Sequence, residues 1–183
     1  MIFKETILKG SYIISLEPRM DSRGSFSRTF CKEEFSQIGH QKEWLQLNHS
    51  VTYKKGSIRG MHYQLPPYSE IKMVRCIVGA IHDVVIDLRK NSPTFLKAVG
   101  TELSAENKKM MYIPEGFAHG FQTLSDHCEL IYHHTALYKP EIEAGIKYDD
   151  KKININWPLL PIEISERDQS HPLLNNDFKG LEL

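Results

Sequence analysis

Short β-rich runs recur along the chain, separated by glycine or proline. This punctuation predicts strands over Tyr12–Leu16, Ser25–Phe30, Trp44–Leu47, Met73–Val78 and Ile81–Leu88. It predicts further strands over Ala98–Leu103, Met110–Ile113, Phe121–Leu124 and Glu129–Thr135. Only Lys32–Ile38 reads as clearly helical, a turn or two stopped by Gly39, while Ala105–Lys109 reads as a single turn. After Trp157-Pro158 the pattern weakens into a tail with a helical stretch over Ser165–Gln169. About nine strands with few helices predict an all-β sandwich or barrel rather than alternating β and α units.

Strand alternation sorts residues into faces. Along Ile81–Arg89 one face carries Ile81, Asp83, Val85, Asp87 and Arg89, and the other His82, Val84, Ile86 and Leu88. The second reads as the better core face. The two carboxylates of the first belong either to the rim of a sandwich or to a polar cavity inside it.

The chain has 183 residues, which is most simply one domain spanning 1–183, large enough to bury a core without disulfides or a structural metal. Its 23 basic and 23 acidic residues balance, and no basic run is long enough for a nucleic-acid surface. Cys31, Cys76 and Cys128 form no close pair, so neither a disulfide framework nor a zinc knuckle is expected. Charges at Lys4, Glu5 and Lys9 interrupt the apolar N-terminal run, and no later stretch approaches a membrane span. The expectation is a soluble cytoplasmic domain with no membrane or nucleic-acid partner.

The densest chemistry lies in Ser57–Lys72, which reads as a polar loop around Pro66-Pro67 between two strands. It carries Arg59, His62, Tyr63, Gln64, Glu70 and Lys72, with an imidazole able to exchange protons near neutrality. A second stretch, YIPEGFAHGFQ, places Pro114, Gly116 and Gly120 in a tight turn ending near His119. Its Pro-x-Gly-x-x-His spacing resembles the second motif of cupins, which are jelly-roll proteins. Gln64 breaks the His-x-His that metal-binding cupins carry, although His62, Glu70 and His119 remain a conceivable two-histidine, one-carboxylate iron set. Lys72 opposes that reading. Tyr132 suits a pleated surface, and the adjacent His133 and His134 face opposite ways, which favours solvated surface for both. Ser165-x-x-Asp168 is either a helix cap or a source of the carboxylate that orients a histidine. There is no Gly-x-Ser-x-Gly, Gly-x-Gly-x-x-Gly or P-loop.

Longer runs carry a more specific resemblance. DSRGSFSRTF, RGMHYQ, EIKMVRCIVGAIHDVVIDLRKNSPTF, LSAENKKMMYIPEGFAHGFQTLSD, GIKYDD and ISERDQSHPLL together resemble the dTDP-4-dehydrorhamnose 3,5-epimerase family in register. The resemblance implies a cupin-like jelly-roll β-sandwich with a short N-terminal helix and a C-terminal tail. It also implies a homodimer, a nucleotide-linked 4-keto-6-deoxyhexose as substrate, and no metal or other cofactor. It assigns His62 as base, Asp168 as its dyad partner, Lys72 as the cation at the ketone oxygen and Tyr132 as the acid on the opposite face. Asp83 falls on a further active-site carboxylate, expected to orient Lys72. Arg23, Phe26, Gln46, Arg59, His119 and Glu143 fall on substrate-binding positions. Arg28 stands where the family usually has glutamate, Ser25 replaces an aromatic residue and Arg167 replaces a lysine in the same binding set. A 3- or 5-monoepimerase on another dTDP- or CDP-linked sugar, a metal-dependent cupin oxygenase and a non-catalytic sugar-binding cupin are the competing readings.

Overall fold

The computed structural model describes residues 1–183. Its strands are β1 (Ile2–Glu5), β2 (Tyr12–Ser15), β3 (Arg19–Asp21), β4 (Gly24–Phe26), β5 (Gln46–Thr52), β6 (Ile58–Gln64) and β7 (Lys72–Val78). They continue with β8 (Ala80–Asp87), β9 (Ala98–Ser104), β10 (Lys109–Ile113), β11 (Phe117–Thr123), β12 (Cys128–His134) and β13 (Glu143–Gly145). Two short helices, α1 (Lys32–Ser36) and α2 (Glu166–Ser170), complete the chain.

The strands form a six-stranded sheet ordered β1-β2-β10-β7-β12-β5 and a five-stranded sheet ordered β13-β6-β11-β8-β9, with β3 and β4 as a separate hairpin. From β5 onward the chain changes sheet at every step except between β8 and β9. This back-and-forth course gives the jelly roll expected of the sequence. The inner faces bury Val74, Cys76, Ile81, Val85, Phe121 and Leu130 among others. A second apolar cluster lies beneath α1, where Phe35 packs on Ile14, Met73, Met110 and Tyr112.

Several expectations change here. Ile81, Asp83 and Val85 face the main core between the sheets, whereas Val84 and Ile86, continued by Leu88 just past the strand, form the outer face of β8. That outer face is buried because the C-terminal tail lies over it with Ile153, Trp157, Phe178 and Leu181. The tail is thus a packed covering layer. Asp87 belongs to the rim: Arg89, Ser92 and Thr94 all donate to it. Burial works to raise its pKa, but these donors outweigh burial and bring it down to about 2.

Ser57–Lys72 is only partly a loop, since its first half is β6. The strand Phe121–Leu124 begins four residues earlier, at Phe117, and Gly120 lies inside it rather than in a turn. Both errors have one cause. Gly60 (φ +118°) packs so closely on β11 that a Cβ there would meet Gly120 Cα at 2.6 Å and the His119 carbonyl at 2.8 Å. Glycines that mark a turn in sequence serve here to bring two backbones together.

Candidate active site

A cavity of about 420 Å³ lies between the sheets. The six-stranded sheet contributes Gln46, Asn48 and Ser50 from β5, Lys72 from β7, and Tyr132 and His134 from β12. The five-stranded sheet contributes Arg59 and His62 from β6, His119 and Phe121 from β11, and Glu143 from β13. Most neighbours within a strand are two residues apart, as one face of a strand requires. Arg59 and His62 are three apart. They share the cavity because β6 is bulged: Arg59 pairs with Phe121 and His62 with His119, so β6 uses one more residue than β11 over the same span.

His62 Nε2 lies 2.8 Å from Asp168 Oδ1, and the other oxygen of Asp168 accepts the Gly60 amide at 3.0 Å. Asp168 is brought there by α2, whose N-cap Ser165 accepts the Asp168 amide at 3.1 Å. The Ser-x-x-Asp signal therefore serves both of its sequence readings, cap and histidine partner. Burial tends to raise the Asp168 pKa, but the hydrogen bond and charge of His62, with the Gly60 amide and Arg167, hold it well below the usual carboxylate range. Arg167 donates to Glu143 at 2.6 Å and also lies 3.1 Å from His62 Nε2. That nitrogen cannot give its proton to Asp168 and also accept from Arg167; the buried carboxylate, at the shorter distance, is the stronger claimant.

On the facing wall, Tyr132 reaches Ser50 Oγ at 3.2 Å. Burial pushes its phenol pKa far above the ordinary value, so the group is neutral and carries its proton. Lys72 Nζ pairs with Glu70 Oε1 at 3.0 Å, and the other oxygen of Glu70 lies 2.8 Å from His134 Nδ1. Asp83 was expected to orient Lys72. Instead Asp83 Oδ1 sits 2.7 Å from His119 Nε2, and the carboxylate paired with Lys72 is Glu70.

The cavity thus gathers His62, Lys72, Tyr132, Gln46, Arg59, His119, Glu143 and Arg167, with Asp168 and Asp83 directly behind two of its histidines. Arg23 and Phe26 are elsewhere: they lie on the exposed β3–β4 hairpin, with Phe26 73% accessible. Arg28 also lies apart from the cavity and pairs with Glu34 at 2.8 Å. His134 is a correction, because it lines the cavity rather than the solvated surface, and His133 is half-buried against Trp44. Its position two residues after Tyr132 in one strand was the available signal. The same spacing from Gln46 reaches Asn48 and Ser50, which sequence reasoning left out.

The iron set His62, Glu70 and His119 does not form, because the ligand atoms of these three do not converge within 4.8 Å of one another. The ligand atoms of His62, Asp168 and His171 do lie within 4.8 Å of one another. Arg167, however, approaches His62 at 3.1 Å and Asp168 at 3.4 Å, which sets a positive charge against the same atoms and opposes a second cation there.

Fold and cavity define a jelly-roll protein whose pocket presents proton-transfer groups and cations but no activated serine or cysteine. The sequence family described as dTDP-4-dehydrorhamnose 3,5-epimerase matches residues 5–176. A dTDP-4-dehydrorhamnose 3,5-epimerase of Shigella flexneri is 47% identical over 159 residues, covering 85% of this chain and 87% of the relative. The crystal structure of the Bacillus anthracis dTDP-4-dehydrorhamnose 3,5-epimerase with TDP and PPi bound superimposes with a TM-score of 0.91 at 35% identity, covering 94% of this chain and 99% of that one. The Legionella pneumophila dTDP-6-deoxy-D-glucose-3,5-epimerase in complex with dTDP-4-keto-L-rhamnose gives a TM-score of 0.92 at 34% identity, covering 100% and 98%. The chain belongs to the dTDP-4-dehydrorhamnose 3,5-epimerase family.

Proposed function

We propose that this protein epimerises dTDP-4-dehydro-6-deoxyglucose at C3 and C5 to give dTDP-4-dehydro-L-rhamnose. One observation supports the chemistry above all: His62 and Tyr132 come from opposite sheets and face one cavity, with Lys72 beside the tyrosine wall. Inverting a carbon centre needs a proton removed from one side and another delivered to the other.

The C–H bonds at C3 and C5 are acidified by the C4 ketone. With one His62 nitrogen committed to Asp168, the other holds the lone pair that takes the proton. The electron pair of the broken C–H bond moves to the C4 oxygen, where the Lys72 ammonium stabilises the enolate. Tyr132, kept protonated by burial, returns a proton to the opposite face of the carbon. The imidazolium and phenolate left behind are reset by proton exchange with water, so the sugar leaves isomerised with no net change in protons. Asp168 stabilises the imidazolium while it exists. Asp83 acts one step removed by holding His119, and Arg59 and Arg167 suit the diphosphate because a guanidinium fork binds phosphate oxygens in pairs.

Arg23 and Phe26 serve the substrate in a homodimer. Both are exposed on a hairpin away from their own cavity, where a second copy brings them to a substrate site. Sedimentation of the full chain at working concentration checks this reading, and a monomer that turns over normally contradicts it. The cellular setting we assign is the cytoplasm, in keeping with three cysteines that all remain thiols.

Proton NMR of dTDP-4-keto-6-deoxyglucose incubated with the protein in D₂O tests the function. Deuterium at both C3 and C5 is expected. Exchange at one carbon assigns a monoepimerase instead, and no exchange excludes this substrate.

A further inference from the structure

Glu70 and His134 have no part in the proton transfers described above, yet they are among the most tightly engaged groups of the cavity wall. The Lys72, Glu70 and His134 side chains are 11%, 7% and 12% accessible, so their contacts are shielded from water. Glu70 uses both oxygens, one at 3.0 Å from Lys72 Nζ and one at 2.8 Å from His134 Nδ1. The far nitrogen of His134 lies 3.3 Å from Asn48 Nδ2. Asn48 Oδ1 accepts from Gln46 Nε2 at 3.0 Å, and Gln46 Oε1 accepts the Tyr138 amide at 3.0 Å.

These bonds fit one consistent assignment. The Tyr138 amide donates to Gln46, Gln46 to Asn48, Asn48 to a neutral His134, and His134 through Nδ1–H to Glu70. Every link then has one donor and one acceptor, and the chain ends on the carboxylate that holds Lys72. Bonds aligned in this way polarise one another, and the shielded end of the chain, His134–Glu70–Lys72, is the part that a low dielectric strengthens and stiffens. The His134 ring is fixed further by stacking on Tyr132, with centroids 6.0 Å apart and planes at 21°. His134 and Lys72 are also register partners on β12 and β7, so the backbone brings together the groups that Glu70 bridges.

We propose that Glu70 and His134 are positioning residues for the enolate-stabilising cation: Glu70 holds the Lys72 ammonium at the ketone oxygen, and His134 holds Glu70. The proposal rests on the epimerase reading. A lysine is a flexible four-carbon stem with a point charge at its end. Stabilising an enolate needs that charge fixed before the reaction begins. Lys72 has a single carboxylate partner, Glu70. Without it the ammonium is free to take other rotamers, and the loss falls on the transition state rather than on substrate binding.

The test is steady-state kinetics of the full-length protein on dTDP-4-keto-6-deoxyglucose, with C3 deuterium exchange followed by NMR. Glu70→Gln is expected to lower kcat by about 10²-fold, the scale of an ångström-level misplacement, with KM within about threefold of wild type. His134→Leu is expected to lower kcat in the same way, and His134→Gln, whose amide still donates to Glu70, to restore most of that loss. The His134 pair carries the test by itself should the change at Glu70 prevent folding. A Glu70→Gln enzyme with wild-type kcat overturns the proposal. So does a fall in kcat matched by an equal rise in KM, or a His134→Gln enzyme as slow as His134→Leu. A wild-type protein that exchanges neither C3 nor C5 overturns the epimerase reading and the proposal with it, so the two failures are told apart by the first sample.

Discussion

The cavity contains two histidine–aspartate pairs of nearly equal length on neighbouring strands, and they differ in everything except that distance. His62–Asp168 spans 2.8 Å and His119–Asp83 spans 2.7 Å, and the two histidines are register partners on β6 and β11. The His62 side chain is 19% accessible and that of His119 only 6%. Asp168 comes from the tail and has both oxygens hydrogen-bonded. Asp83 comes from the middle of β8, is wholly buried, and has one oxygen without a partner. Distance alone therefore does not identify a base. On the function proposed above, the base is the more exposed imidazole, whose carboxylate has both oxygens engaged, and the other pair stiffens the wall.

Breaking the first pair is expected to cost most. His62→Ala should lower deuterium exchange at both C3 and C5 by about 10³-fold or more, within the range typical of a general base. Normal exchange in that variant would remove His62 from the mechanism. Tyr132→Phe sharpens the contrast from the opposite wall. It should lower epimerisation at C5 by about 10²-fold while sparing C3 exchange, which needs only the base, more, and equal loss of the two contradicts tyrosine as the acid. His119→Ala, measured the same way, should cost about tenfold, less than the usual range for a proton-transfer group.

The pairs should also separate by pH. Asp168 is held below the ordinary carboxyl value of about 4, so it stays charged throughout the working range. Stability follows by linkage. A depressed carboxyl stabilises the fold above its unfolded value and loses that effect as pH falls through the folded value. The stability gap between wild type and Asp168→Asn, followed by urea unfolding, should therefore narrow in acid. A gap that widens in acid contradicts the assignment.

Much of this contrast was written in the chain, though unevenly. The runs from Met73 to Leu103 were readable as strands because each has a mostly apolar face. β6 was not, because its bulge interrupts the alternation and polar Arg59, His62 and Gln64 share it with Gly60. His134 was within reach of period-two reasoning from Tyr132, whereas its link to Glu70 depends on a loop that no periodicity describes. Asp168 meets His62 across more than a hundred positions of sequence, and only the family resemblance connected them beforehand. Arg23, Phe26 and Arg28 were named through the family resemblance alone, and they lie outside the cavity of their own chain, Phe26 on the exposed β3–β4 hairpin and Arg28 paired with Glu34.

The most direct test compares the two carboxylates in one experiment: C3 deuterium incorporation into dTDP-4-keto-6-deoxyglucose by Asp168→Asn and by Asp83→Asn, at matched enzyme concentration. The account predicts that Asp168→Asn is slower than Asp83→Asn by about tenfold or more, because only Asp168 stabilises the imidazolium that forms in the reaction. Equal rates, or a slower Asp83→Asn, would contradict it and make His119 the base.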